Sequence, residues 1–280
     1  MPDSVRPRPE RLRSLRTAAF SLLLVAALTL TLLFLTLPIA ALFVDSGPGR
    51  LVSSLGDPVA TDALLVSLKT TLAAIAIIVV FGTPSAYLLA TRRFRGRDLL
   101  VTLVELPLVL PPAVAGIALL VALGPNGLLG GALDDLGIQL VLQTGGVIVA
   151  LTFVAAPFYI RQTQTAIEAV DPLLMDASRT LGASEARTLF RVVLPSARPG
   201  IAAGLALAWG RALGEFGATL MFAGSFRGVT QTVPLAIYDR FAVDLPSAVA
   251  LSTVLVAISA ALLLSVKLLG RDAGGRRARA

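Results

Sequence analysis

Apolar residues in this chain run in long uncharged windows instead of alternating with polar ones at strand or surface-helix period. A helix that crosses lipid hydrocarbon needs roughly 20 predominantly apolar residues. Five windows meet that length without a charge: Thr17 to Val44, Thr70 to Thr91, Leu106 to Leu133, Leu136 to Ile160, and Leu245 to Val266. A sixth, Pro199 to Phe226, is interrupted only by Arg211 and Glu215. The pattern predicts an all-α integral membrane protein of six transmembrane helices. The first window follows Arg6, Arg8, Arg11, Arg13 and Arg16, as in a secretory leader, but its apolar run exceeds the roughly 7 to 15 residues of a leader core. It is expected to stay as a membrane helix.

The third window carries Glu105, Pro107, Pro111 and Pro112. Proline removes a backbone donor and clashes with the preceding turn, so a continuous helix there must break or kink. The other reading is a helix that begins late, near Ala113, after a short interfacial segment, since proline suits a first helical turn. Beyond it, Gly124-Pro125-Asn126-Gly127 signals a turn, and Gly130-Gly131 with Asp134-Asp135 an external loop.

Composition agrees with lipid as the main solvent: 56% of residues are hydrophobic and 15% charged. Cysteine and histidine are both absent. That removes disulfides, thiolate metal sites and every histidine-based hydrolytic constellation, so neither a catalytic nor a metal site is expected. The net charge of +7 is distributed between the apolar runs. Nineteen basic residues fall in the N-terminal tail, the span two to three loop (Arg92, Arg93, Arg95, Arg97), the span four to five loop (Arg161, Arg179, Arg187, Arg191, Arg198) and the C-terminal tail. Only four (Arg50, Lys69, Arg227, Arg240) fall on the opposite side. The positive-inside bias predicts both termini in the cytoplasm, with no nucleic-acid partner.

Between spans four and five lies a polar stretch from Arg161 to Pro199. Asp171-Pro172 reads as an N-cap with proline at the first helical position. Gly182 reads as a stop, and Ser184-Glu185-Ala186-Arg187 starts a second helix expected to end before Pro195. Two short helices outside the membrane suit docking into a groove on a soluble partner. They suit an amphipathic hairpin on the lipid surface equally well.

The segment resembles the signature loop of permease subunits in bacterial binding-protein-dependent ABC importers. Asp176, Ala177, Ser178, Gly182, Val192, Leu194 and Pro195 stand at every position of that pattern, with Asp for the usual Glu and Ser for the second Ala. The resemblance implies that the two short cytoplasmic helices are coupling helices seated in an ATPase subunit. Leu106 to Gly116 and Arg211 to Thr219 look like the third and fifth spans of the molybdate and sulfate permeases, and Phe216 with Ala218-Thr219 looks more like the molybdate branch. The resemblance covers roughly Thr61 to Leu269, a permease domain at 61–269; the apolar and basic pattern sets apart an Arg-rich cytoplasmic tail at 1–16, a first transmembrane helix and external loop at 17–60 and a basic cytoplasmic tail at 270–280. The resemblance to the permeases further implies two ATPase subunits that hold ATP and Mg, an external solute-binding protein, a second permease copy and a bacterial cell membrane. Pro111, Pro112, Gly116, Arg211, Gly214, Glu215 and Thr219 would lie along the translocation path or its gate. For Arg211 and Glu215 the physics leaves two roles open. Four apart on one helix they neutralise each other, either beside a passage for an oxyanion or as a structural pair.

Overall fold

The computed structural model describes residues 10–275, all helix, turn and loop, with no strand among them. Residues 1–9 and 276–280, including Arg6, Arg8, Arg276, Arg277 and Arg279 of the expected basic tails, lie outside the described residues. Helix α1 (Glu10–Leu55) is bent at Gly47, whose φ of 59° is left-handed. It is followed by α2 (Pro58–Thr91), α3 (Arg97–Val109), α4 (Pro112–Leu123) and α5 (Gly130–Asp135). Then come α6 (Thr144–Glu168), α7 (Pro172–Thr180), α8 (Glu185–Thr188), a π turn at Leu189–Val193 and α9 (Leu194–Leu213). The chain ends with α10 (Gly217–Ala223), α11 (Val233–Phe241) and α12 (Leu245–Gly275).

Five helical stretches are long and apolar enough to cross a membrane: Ala18–Gly47, Pro58–Thr91, Thr144–Glu168, Glu185–Leu213 and Leu245–Val266. The pair α3 and α4, bent by 117° at Leu110 and Pro111, makes up a sixth span. The break follows from local chemistry. Leu110 and Pro111 have extended backbone, Pro112 opens α4, and the Pro111 carbonyl accepts the Ala115 N–H at 3.0 Å.

The centre of the molecule is the packing of α2, α6 and α9. Ala74, Ile75 and Ile78 of α2 meet Val147, Leu151, Ala155 and Tyr159 of α6 and Ala208 and Ala212 of α9. Lipid is as apolar as these side chains, so burial alone does not drive the helices together. Close packing of small residues and hydrogen bonds between helices must do so. Ala and Gly at the crossings supply the first, and the 2.7 Å hydrogen bond between Thr83 and Tyr159 hydroxyls supplies an example of the second. Smaller clusters hold α4 and α10 against α6, through Ala115, Leu119, Ala150, Val154, Ala218 and Phe222. Helix α1 lies outside this assembly. Its residues from Ala18 to Ala41 are exposed, and Ser46 ties it to α12 by a 2.7 Å hydrogen bond to Thr253.

Three expectations about the elements are corrected. The window from Pro199 to Phe226 is not one helix: α9 stops at Leu213, and α10 starts only after Gly214, Glu215 and Phe216. The fourth span begins at Thr144, not Leu136, because Gly137 (φ 68°) and the segment after it are not helical. The second cytoplasmic helix does not end before Pro195. Helix α8 runs through the π turn into α9, and the Leu194 N–H reaches back five residues to the Leu189 carbonyl. The widened turn accommodates the proline ring where an α-turn would clash.

Candidate functional site

The sequence-selected residues fall into two groups. The first surrounds α7. Asp171 Oδ1 accepts the Leu173 N–H at 2.9 Å and Pro172 opens the helix. Beyond its end Gly182 takes a φ of 78°, a region that Cβ disfavours, and turns the chain toward Ser184, whose hydroxyl accepts the Arg187 N–H. Asp176 pairs with Arg179 at 3.3 Å, and the Ala177 carbonyl accepts the Leu181 N–H. Ser178 shares a 3.0 Å hydrogen bond with Thr188, which is fully buried. Val192 lies in the π turn, and Leu194 and Pro195 open α9.

Three residues that the spacing did not single out fix this loop to the rest of the chain. Glu185 receives the Tyr87 hydroxyl at 3.0 Å and pairs with Arg92 at 3.2 Å and Arg179 at 3.4 Å. One carboxylate thus ties the loop to the end of α2. Val193, not Val192, is the buried anchor. It packs with Ala86, Ile167, Val170 and Ala197, while Met175 and Leu189 lean on the same cluster. Thr188 completes the set from inside the loop. A Glu in the first turn after a Ser cap was visible in the sequence as a helix start, but nothing in it told which distant cations it meets. Leu173, Leu174, Leu181 and Phe190 are left exposed around this rigid base.

The second group surrounds the breaks of the two interrupted spans. Helices α4 and α10 cross so closely that a Cβ on Gly116 would meet the Ala218 carbonyl and Met221 Cβ at 2.7 Å each. A Cβ on Gly217 would meet Pro112 Cβ at 2.8 Å. Glu215 is buried at the start of α10. Its Oε1 accepts the Ala218 N–H at 2.7 Å, and its Oε2 lies 2.6 Å from Nη2 of Arg211, an ion contact whose N–H is not aimed along the bond. Thr219 is buried and donates to the Phe216 carbonyl at 2.8 Å. Pro111, Pro112 and Gly214 are exposed, and Arg211 is partly exposed. Gly116, Glu215 and Thr219 are therefore packing and capping positions, while Pro111, Pro112, Gly214 and Arg211 present an accessible surface.

An ion-pair ladder joins the first group to the second. Helix α3 has no buried residue of its own. It is held to α6 by Arg97 on Glu168 at 2.9 Å and by Glu105 on Arg161 at 2.7 Å. Between them Gln164, itself buried, accepts from Arg161 at 2.6 Å and donates to Glu168 at 2.8 Å. No group of three or more metal-ligating side chains occurs among the described residues.

Residues 78–273 match the family described as binding-protein-dependent transport system inner membrane component. The chain belongs to this family. Among its relatives, the molybdenum transport system permease protein ModB of Mycobacterium tuberculosis is 41% identical over 235 residues, covering 84% of this chain and 89% of that protein. The sulfate transport system permease protein CysT of Salmonella typhimurium is 36% identical over 262 residues, covering 92% and 94%. The fold matches a chain of a bacterial alginate ABC transporter, solved in complex with an alginate pentasaccharide-bound periplasmic protein, with a TM-score of 0.69. That match has 20% identity and covers 92% of this chain and 95% of the other. Membership makes the chain a multi-pass membrane component of a transport system.

Proposed function

We propose that the chain is the permease subunit of an ATP-driven oxyanion importer and that its cargo is molybdate. The observation that carries this reading is the loop from Asp176 to Pro195. It has the signature spacing, it is braced by Glu185 and Val193, and it leaves leucines free for a partner. Two ATPase subunits, holding ATP and Mg, would engage this loop in two copies of the chain, and an external solute-binding protein would deliver the anion. The permease itself performs no covalent chemistry. ATP-driven approach of the ATPases would favour one of two arrangements of the spans, and such a switch requires a partner that binds the two arrangements with different free energy.

The path in this reading passes the breaks at Leu110–Pro111 and Gly214–Phe216, with Arg211 keeping the accessible surface favourable to an anion. Both termini lie in the cytoplasm, on the side of α7. Ion pairs support that sorting of loops. Arg92 with Glu185 joins the α2–α3 and α6–α9 connections, while Arg240 with Asp57 and Arg227 with Asp62 join loops of the other set. The charge bias assigns the first set to the cytoplasm.

Two measurements test the reading. Gly182→Asp, or deletion of Asp171 to Pro195, should abolish association with the ATPase subunit; unchanged association and uptake would defeat the coupling role. Uptake of labelled molybdate by the reconstituted complex should be outcompeted by unlabelled molybdate at concentrations well below those needed of sulfate, thiosulfate or tungstate. The likeness to the sulfate permease motivates the second reading, with sulfate or thiosulfate as cargo. The opposite order of competition would establish it.

A further inference from the structure

The turn between α2 and α3 borders an open hollow of about 600 Å³ that no part of the transport reading uses. Arg92, Arg93, Phe94, Arg95 and Arg97 line it, and Glu168 at the end of α6 closes one wall. Four arginines and two acids, Glu168 and Asp98, thus line a single hollow. Two of the four are already committed. Arg92 pairs with Glu185, and Arg97 donates to the Leu89 carbonyl and pairs with Glu168 and Asp98. Arg93 and Arg95 meet no acid among the described residues, and both are exposed. Gly96, which precedes α3, supplies no capping side chain, so the positive end of a 13-residue helix opens on the same turn.

Position identifies the class of anion. The walls are the ends of two membrane-spanning helices, α2 and α6, and the start of α3, so the mouth lies where the chain leaves the apolar layer. Phe94 between the two free arginines is exposed, as are Leu99 and Leu100 on the first turns of α3. A free anion would use the arginines and leave this apolar rim, at the edge of the layer, without a partner of its own. An ATPase subunit seated on α7 would engage the leucines there instead. A molecule with an anionic head and an apolar tail satisfies both halves of the surface, and basic pockets between spans commonly take such lipids. We infer that the mouth between the ends of α2, α3 and α6 is a binding site for an anionic phospholipid. Its phosphate rests on Arg93 and Arg95, and its acyl chains lie along Phe94, Leu99 and Leu100.

The test uses the full chain in phosphatidylcholine nanodiscs doped with phosphatidylglycerol, followed by mild detergent extraction and mass analysis of retained lipid. The wild type should hold phosphatidylglycerol about 30-fold more tightly than Arg93→Gln/Arg95→Gln, the weight of two basic side chains near an anionic surface. Arg93→Lys/Arg95→Lys should retain most of that preference. Equal retention by the wild type and the Gln variant would overturn the inference. Two competition arms use the wild type alone and depend on no variant. Release of the lipid by millimolar inorganic phosphate would make this a free-anion site, and release by the ATPase subunit would make it a protein docking face. Either result would overturn the inference, and retention through both supports it.

Discussion

Glu215 engages both carboxylate oxygens, one on the Ala218 N–H and one beside Arg211, so it caps α10 and neutralises a cation at once. Removing one member of such a pair typically costs about 3–5 kcal/mol, mostly the penalty of the charge left behind. Glu215→Ala should therefore lower thermal stability in detergent sharply. Arg211→Met/Glu215→Gln should recover much of the loss relative to Glu215→Gln alone, and no recovery would show that the two side chains are not coupled. Two glycines on separate helices make a contrasting pair. Gly116→Ala drives a methyl into the backbone of α10 and should cost about 1–3 kcal/mol. Gly210→Ala meets nothing within 4 Å and should stabilise α9 by roughly 0.5–1 kcal/mol. A Gly210→Ala protein that is stable yet transport-dead would place Gly210 at a seam with another chain. Asp244, at the start of α12, has its carboxyl held below the usual range by the Ser247 hydroxyl and N–H. Because the folded value is depressed, this contribution is present above the unfolded pKa of about 3.9 and is lost as pH falls through the folded one. Amide exchange at the first turn of α12 should accelerate only in that acid window, and Asp244→Asn should remove the pH dependence.

At the scale of elements, the unusual member is α3, a helix attached by charge instead of burial. Its ladder to α6 leaves it able to detach without opening the α2–α6–α9 core. A partly exposed ion pair contributes about 1 kcal/mol or less. Glu105→Gln should accordingly raise amide exchange along α3 by up to about 5-fold and leave α6 unchanged, in the manner of a low-stability unit. Equal protection in the variant would mean that another contact holds α3. Since α6 leads directly into α7 and α3 leads into the break before α4, the ladder spans the distance between loop and break. The caps of α7 were legible in sequence because Asp171-Pro172, Gly182 and Ser184 act on neighbours two or three residues away. The continuation of α8 through Pro195 was not, because a π turn is one residue of slack that the chain takes up only when Val193 finds a buried seat.

For the whole molecule, the separation of loops into two sets is the feature with the widest consequence. The absence of cysteine makes it directly measurable. Val243→Cys and Leu181→Cys both stand on highly exposed positions. A membrane-impermeant maleimide should label Val243→Cys in intact cells and Leu181→Cys only after the membrane is opened. Labelling of Leu181→Cys in intact cells would invert the orientation. Docking of the ATPase should then shield Leu181→Cys in opened membranes.

Membrane residence, the approximate spans, the sorting of charge and the signature loop were all determined by the sequence itself. Each depends on local composition or on spacing along one segment, and neither needs a fold to be read. The tertiary structure alone decided which apolar windows stay whole. The run from Pro199 to Phe226 is as apolar as its neighbours, yet it breaks where Glu215 turns back to cap α10. It also decided which faces are covered. Lipid and protein interior are equally apolar, so hydropathy cannot separate the exposed wall of α1 from the buried seam of α6. The meetings of Glu185 with Arg92, and of Gly116 with Ala218, join residues from separate elements, and only the packed helices bring them within reach.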